Sequence, residues 1–148
     1  RSYPLKAPKP KTRTRFFLFL VNLHLRDQTP CIWIERRGAG DIWQGLYQFP
    51  MIETNTPPDS ESLAHIEHLT SMGLTEKPDI QKAVYVKHKL THQTLHCWFI
   101  NTNLEKPLTE RCISLPMSET HRFAFTRPIV NYLHTCLKPG IESDCTFC

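Results

Sequence analysis

The chain alternates short apolar runs with polar breaks, and two stretches set the frame. Phe16–Leu23 is almost continuously apolar, the pattern of a central strand buried on both faces. Arg26–Pro30 has turn composition, and Cys31–Arg36 is its partner strand, with Ile32 and Ile34 on one face and Cys31, Trp33 and Glu35 on the other. Farther on, Val84, Val86 and Leu90 alternate with Tyr85, Lys87 and Lys89; Leu95, Cys97 and Phe99 then alternate with Thr94, His96, Trp98 and Ile100. This period of two predicts a hairpin. Its tip, Leu90-Thr91-His92-Gln93, holds no Gly, Asn or Asp to favour a tight primed turn. Such a departure from local preference is a mark of functional loops.

Two segments carry helical spacing instead. Leu63, Ile66, Leu69 and Met72 recur behind a cap at Asp59/Ser60, and Gly73 is placed to end that helix. Thr126-Arg127-Pro128 opens a second helix, whose apolar face is Ile129, Val130, Leu133 and Leu137 with Cys136 beside them, and Pro139-Gly140 ends it. Asn101–Glu110 reads as a loop and Cys112–Pro116 as a short edge strand. The sum is an α+β fold, a mixed β-sheet with packed helices in a single domain over 16–138. Residues 1–15 form a Pro-rich linker and 139–148 a flexible tail.

Between the second strand and the first helix runs Glu35-Arg36-Arg37-Gly38-Ala39-Gly40-Asp41-Ile42-Trp43-Gln44-Gly45-Leu46-Tyr47-Gln48-Phe49-Pro50. Gly38 and Gly40 predict a sharp surface loop. Trp43, Leu46, Tyr47 and Phe49 are too apolar for a solvated loop; they fold back to close the end of the core, with Gly45 admitting a second backbone.

Composition narrows the class. The chain has 148 residues with 40% hydrophobic side chains, enough for one globular domain with its own core. No apolar run approaches membrane-spanning length. The formal charge of +4 is unevenly placed: residues 1–15 hold Arg1, Lys6, Lys9, Lys11, Arg13 and Arg15 and no acid, and the remainder is slightly acidic. A basic, Pro-rich leader is either a solvated tether or one that also tracks a phosphate backbone, with Lys9, Lys11 and Arg13 as its DNA contacts. The six cysteines are spread thinly and read as reduced thiols of a cytoplasmic protein. Cys145 and Cys148 have metal or redox spacing but no second ligand pair. His65/His68 and His92/His96 lack a supporting carboxylate, so no metal site is read from them. The start at Arg1, without an initiator methionine, points to a piece of a longer protein.

The order Arg-Arg-Gly, then Trp-x-Gly-Leu-Tyr-x-Phe-Pro at Trp43–Pro50, resembles the strand–loop–strand that opens a Nudix domain. In Nudix hydrolases the next helix carries Arg-Glu-x-x-Glu-Glu-x-Gly, whose carboxylates hold the magnesium that activates a diphosphate. With Gly73 on the family glycine, Ile66 and Glu67 fall on Arg-Glu, and Thr70 and Ser71 on the paired glutamates. The resemblance thus implies the fold without that reaction. His88-Lys89-Leu90-Thr91-His92-Gln93-Thr94-Leu95 looks like the His-x-Phe-Ser/Thr-His-x-x-Leu loop of the C-terminal domain of adenine DNA glycosylases of the MutY type, with Leu90 in place of Phe.

This resemblance implies a domain that recognises 8-oxoguanine opposite adenine in double-stranded DNA. The catalytic N-terminal domain, with its 4Fe-4S cluster, would belong to the same parent chain and lies outside this sequence. No catalytic residue, cofactor or metal is expected in the fragment, and the parent would work on the bacterial nucleoid in the cytoplasm, away from membranes. The expected site comprises Thr91 on the lesion, His92 on a base or phosphate, Lys87 and Lys89 on phosphates, His88 beside them, and Leu90 as an apolar wedge. Two other readings stay open: a degenerate Nudix hydrolase of oxidised nucleotides, and a protein-interaction module whose hairpin tip grips another repair factor.

Overall fold

The computed structural model describes residues 12–59, 80–102 and 110–135. Strand β1 (Arg13–Val21) begins three residues ahead of the expected start at Phe16, so Arg13, Thr14 and Arg15 are strand rather than linker. It pairs in parallel with β7 (Gln93–Asn101) along its whole length, from Arg13↔Gln93 to Val21↔Asn101. On its other side it pairs antiparallel with β5 (Met51–Thr54), and β7 pairs antiparallel with β6 (Val84–Lys89). The result is a mixed four-stranded sheet in the order β5-β1-β7-β6. As the central strand, β1 buries Phe17 to Val21 on both faces.

The expected pairing of Phe16–Leu23 with Cys31–Arg36 occurs only at Leu23, opposite Ile32. Asn22, the one polar break in that run, donates from Nδ2 to the Thr102 carbonyl at 3.0 Å, and there the chain leaves the first sheet. Its continuation, β2 (Leu23–Arg26), pairs with β3 (Thr29–Arg36) in a second sheet that also holds β4 (Tyr47–Gln48) and β8 (Ile113–Pro116). One apolar run has been divided between two sheets, and Leu23 ends up half exposed. The β2–β3 hairpin turns through Asp27 and Gln28, both left-handed (φ 52° and 66°), the twist-matched form of a two-residue turn.

Residues from both sheets make one core: Phe17, Phe19, Ile32, Ile34, Phe49, Leu95, Cys97, Phe99 and Leu115. Helix α1 (Arg127–Thr135) adds Ile129 and Tyr132 to it, and Pro128 lies in its first turn as expected. The aliphatic spacing of the helix concealed Tyr132, whose ring stacks on Phe99 at 4.4 Å and meets Phe49 edge-on at 5.7 Å. Burial pushes the Cys97 thiol up to about 12, so it packs as a small apolar group. Behind the first sheet lies a smaller cluster of Leu18, Leu20 and Ile100, with Trp33, Ile52 and Trp98 against it. The expected helix over Leu63–Met72, the Pro139-Gly140 stop and the Cys145/Cys148 pair lie outside the described residues.

Candidate nucleic-acid interface

The β6–β7 hairpin turns at Thr91 and His92, both exposed. The last ladder pair is Lys89↔Thr94, after which the Leu90 amide donates to the Gln93 carbonyl at 2.7 Å. Neither Thr91 nor His92 is left-handed, so this tip is not a primed turn. A different bond holds it: the Arg13 amide donates to the His92 carbonyl at 3.0 Å. The point where the basic leader enters the domain is therefore tied to the tip. Lys9 and Lys11 lie outside the described residues, while Arg13 sits exposed beside Gln93.

Strand alternation sorts the other expected residues. Lys87 and Lys89 are exposed on the outer face, and neither forms an ion pair with a described residue. His88 and Leu90 point to the opposite face. Leu90 packs against the main core, so its apolar side chain is half occupied before any wedge forms. His88 lies 5.7 Å from the Trp43 ring; burial, then the charge of Arg127, holds its basicity below that of a free imidazole. His88 accordingly packs beside Trp43, on the face opposite Lys87 and Lys89. His92 and His96 also separate, since His96 accepts or donates with the Tyr85 hydroxyl at 2.5 Å on the outer face. Among the described residues no group of three or more His, Cys, Asp or Glu could hold a metal ion.

Beneath the tip, one arginine of the basic leader has been taken into the structure. Arg15 is 5% exposed and uses all five of its N–H donors. Two reach Asp41 at 2.7 and 2.8 Å, two reach Glu53 at 2.7 and 2.9 Å, and one reaches Gln93 Oε1 at 3.2 Å. Arg37 closes the array, donating to Asp41, the Ile42 carbonyl and Gln48 Oε1. Both guanidinium groups lie over the Phe17 ring, at 4.9 and 5.7 Å. Hydrogen bonding to Arg15 lowers the Asp41 carboxyl to about 2, and the Glu53 and Asp41 bonds raise Arg15. Burial lowers Arg37, opposed by Asp41. Arg15 is unavailable to phosphate; it clamps β1, β5, the 37–48 loop and β7 together directly under the tip.

The glycines of that loop divide the work differently from expectation. Gly40 and Gly45 adopt φ of +86° and +81°, whereas Gly38 does not enter that region. A Cβ on Gly45 would lie 3.4 Å from the Arg36 guanidinium, and Arg36 Nε bonds the Gly45 carbonyl. A second backbone does approach as expected, the Gly45 amide donating to the Arg37 carbonyl at 3.0 Å, while the Arg36 side chain fills the space a Cβ would take. Trp43 is itself left-handed (φ 56°), an unusual state for a bulky residue, and it turns its ring to the core and to His88.

Two features escaped sequence reasoning. The Arg15–Asp41–Glu53 cluster joins residues up to 38 positions apart, and no local spacing announces it. The Trp43–His88 contact was hidden because Trp43 reads simply as a core aromatic.

Residues 21–135 match the NUDIX domain family, and the chain belongs to it. Solved structures of several such proteins superpose on it. The C-terminal domain of mouse MUTYH, in its complex with human PCNA, gives a TM-score of 0.55 at 14% identity, covering 82% of this chain and 86% of that one. Shewanella oneidensis NrtR complexed with a 27mer DNA gives 0.56 at 10% identity, covering 80% and 58%. The Ap4A hydrolase of C. elegans gives 0.54 at 9% identity, covering 82% and 94%. At these identities the likeness is one of fold. A search of curated proteins found no match. Among the described residues no helix is long and apolar enough to cross a membrane.

Proposed function

We propose that this chain is the lesion-recognition domain of an adenine DNA glycosylase, reading 8-oxoguanine opposite adenine in double-stranded DNA. The observation that carries the reading is the hairpin tip. Thr91 and His92 stand exposed on a turn held from below by Arg15 and from the side by Arg13. Lys87 and Lys89 lie on its flank, without an ion pair among the described residues. The fold likeness to the mouse MUTYH C-terminal domain supports the reading.

The chemistry is set by the lesion. Guanine presents N7 to the major groove as an acceptor. Oxidation at C8 puts a proton on N7 and adds a carbonyl, so the reader needs an acceptor where guanine offers one too. The Thr91 hydroxyl can accept that proton's hydrogen bond. Facing unmodified guanine, two acceptors would oppose each other, at a cost of about 1–3 kcal/mol for the unsatisfied pair. His92 takes a base or phosphate, and Lys87, Lys89, Arg13, Lys9 and Lys11 take phosphates. The catalytic domain, its 4Fe-4S cluster and base flipping belong to the rest of the parent chain, acting on the bacterial nucleoid.

Adenine excision by the intact parent tests this. With Thr91→Ala/His92→Ala, the rate on 8-oxoguanine·A falls toward the G·A rate while the G·A rate holds; two unchanged rates would make the tip structural. The second reading is a Nudix hydrolase of oxidised nucleotides, which the fold likeness to an Ap4A hydrolase favours. Thr70 and Ser71, where the family has paired glutamates, oppose it. Magnesium-dependent release of phosphate from 8-oxo-dGTP by the 148-residue chain would establish that reading instead.

A further inference from the structure

The outer face of the first sheet carries, beside the Lys87 and Lys89 that the lesion reading also uses, a set of rings that it does not. Directly paired residues of neighbouring strands project to the same side, so the registers define three rows across β6, β7 and β1. Lys89, Thr94 and Thr14 form the row nearest the tip; Lys87, His96 and Phe16 the next; Tyr85, Trp98 and Leu18 the third. The second and third rows hold four near-contiguous rings. His96 lies 5.3 Å from Phe16 and 5.8 Å from Tyr85, with interplanar angles of 21° and 15°, and Trp98 lies 5.1 Å from Tyr85. The Tyr85 hydroxyl bonds His96 Nδ1, fixing both rings. Tyr85 is 47% exposed, and Phe16, His96 and Trp98 are partly buried, Trp98 against the Leu18–Leu20–Ile100 cluster.

Among the described residues, the charge on this face has one sign. Lys87 and Lys89 are exposed on it. Glu53 is the one carboxylate on the four strands, and it points to the other side, bonded to Arg15. A ligand that fits must bring negative charge at a regular spacing together with flat apolar surfaces. A duplex offers the charge but keeps its base faces inside the stack. An unpaired strand offers both, because every base has a face to stack and every linkage a phosphate. We propose that the Phe16–His96–Tyr85–Trp98 surface with Lys87 and Lys89 is a binding platform for single-stranded nucleic acid. It is continuous with the hairpin tip but distinct from the tip's lesion contacts.

The test is binding of a labelled twelve-residue oligothymidylate to the 148-residue chain at low salt, monitored by anisotropy, with inorganic tripolyphosphate as competitor. Tyr85→Ala/His96→Ala should weaken binding by about tenfold or more, since stacking on aromatics supplies much of single-strand affinity. Tyr85→Phe, which keeps the ring, should retain it. Should the double variant lose its fold, Tyr85→Ala alone, at a residue half in solvent, should still lower affinity several-fold. The proposal is overturned if the oligonucleotide does not bind, if it binds the alanine variants as tightly, or if tripolyphosphate displaces it at equal phosphate concentration. Binding of an acidic protein segment with no binding of the oligonucleotide would overturn it as well. Failure here leaves the lesion reading standing, because that is judged by duplex excision in the Thr91→Ala/His92→Ala variant.

Discussion

Two hairpins among the described residues have two-residue tips, and they are built on different principles. Asp27 and Gln28 both occupy the left-handed region that matches the twist of β2 and β3, and the turn holds itself. Thr91 and His92 do not, and beyond its own Leu90–Gln93 bond their turn receives contacts from elsewhere: the Arg13 amide on His92 and the Arg15 guanidinium on Gln93. The first tip is local chemistry serving the fold. The second is braced from outside, with exposed lysines beside it.

The contrast is broken most severely at the scaffold. Arg15→Met leaves the Glu53 carboxylate without its cation and Asp41 with Arg37 alone. Because both keep some exposure, the loss should lie near the low end for a broken buried pair, about 3 kcal/mol in urea unfolding. A loss below about 1 kcal/mol would mean the clamp contributes little. At the self-sufficient tip, Asp27→Val puts a β-branched residue at positive φ and should cost about 1–2 kcal/mol. Thr91→Val, where φ is negative, should change stability by no more than about 0.5 kcal/mol. Equal effects at the two tips would erase the distinction.

Acid titration sharpens it further. The Asp41 carboxyl, held at about 2 when folded, lies below the ordinary value of ~3.9 for an unfolded aspartate. Its contribution is therefore complete above about pH 4 and is lost as pH falls through about 2. Urea midpoints of the native chain should decline over that window, and Arg15→Met should flatten the decline. The smallest effect on stability is expected at the outer lysines. Lys87→Ala/Lys89→Ala should leave unfolding within about 0.5 kcal/mol. If both lysines contact phosphates, the same variant should reduce the slope of log K against log salt for duplex DNA by about 2. An unchanged slope would place the phosphate contacts elsewhere.

Much of this was legible in the residues. The alternation over Val84–Ile100 specifies the hairpin and which residues face the core, because side chains in a strand have a strict period of two. The helix opening at Thr126-Arg127-Pro128 was equally plain, since proline tolerates only the first turn. The tip's lack of turn-forming residues was visible as well, and the structure shows the consequence in a turn with no left-handed residue. By contrast, Arg15 reads as one more cation of a basic leader, and only burial against Asp41 and Glu53 turns it into a clamp.

The sequence alone determined the features that near neighbours along the chain control: the strand faces, the helix start, the apolar runs that must be buried, and the motifs that resemble the Nudix fold. Only the tertiary structure decided how distant runs were partnered. The break at Asn22 sends one apolar run into two sheets, Arg13 is tied to His92, and Tyr85, His96, Phe16 and Trp98 meet on one face. Pairing across a sheet joins residues tens of positions apart, and local periodicity carries no information about which strands will meet.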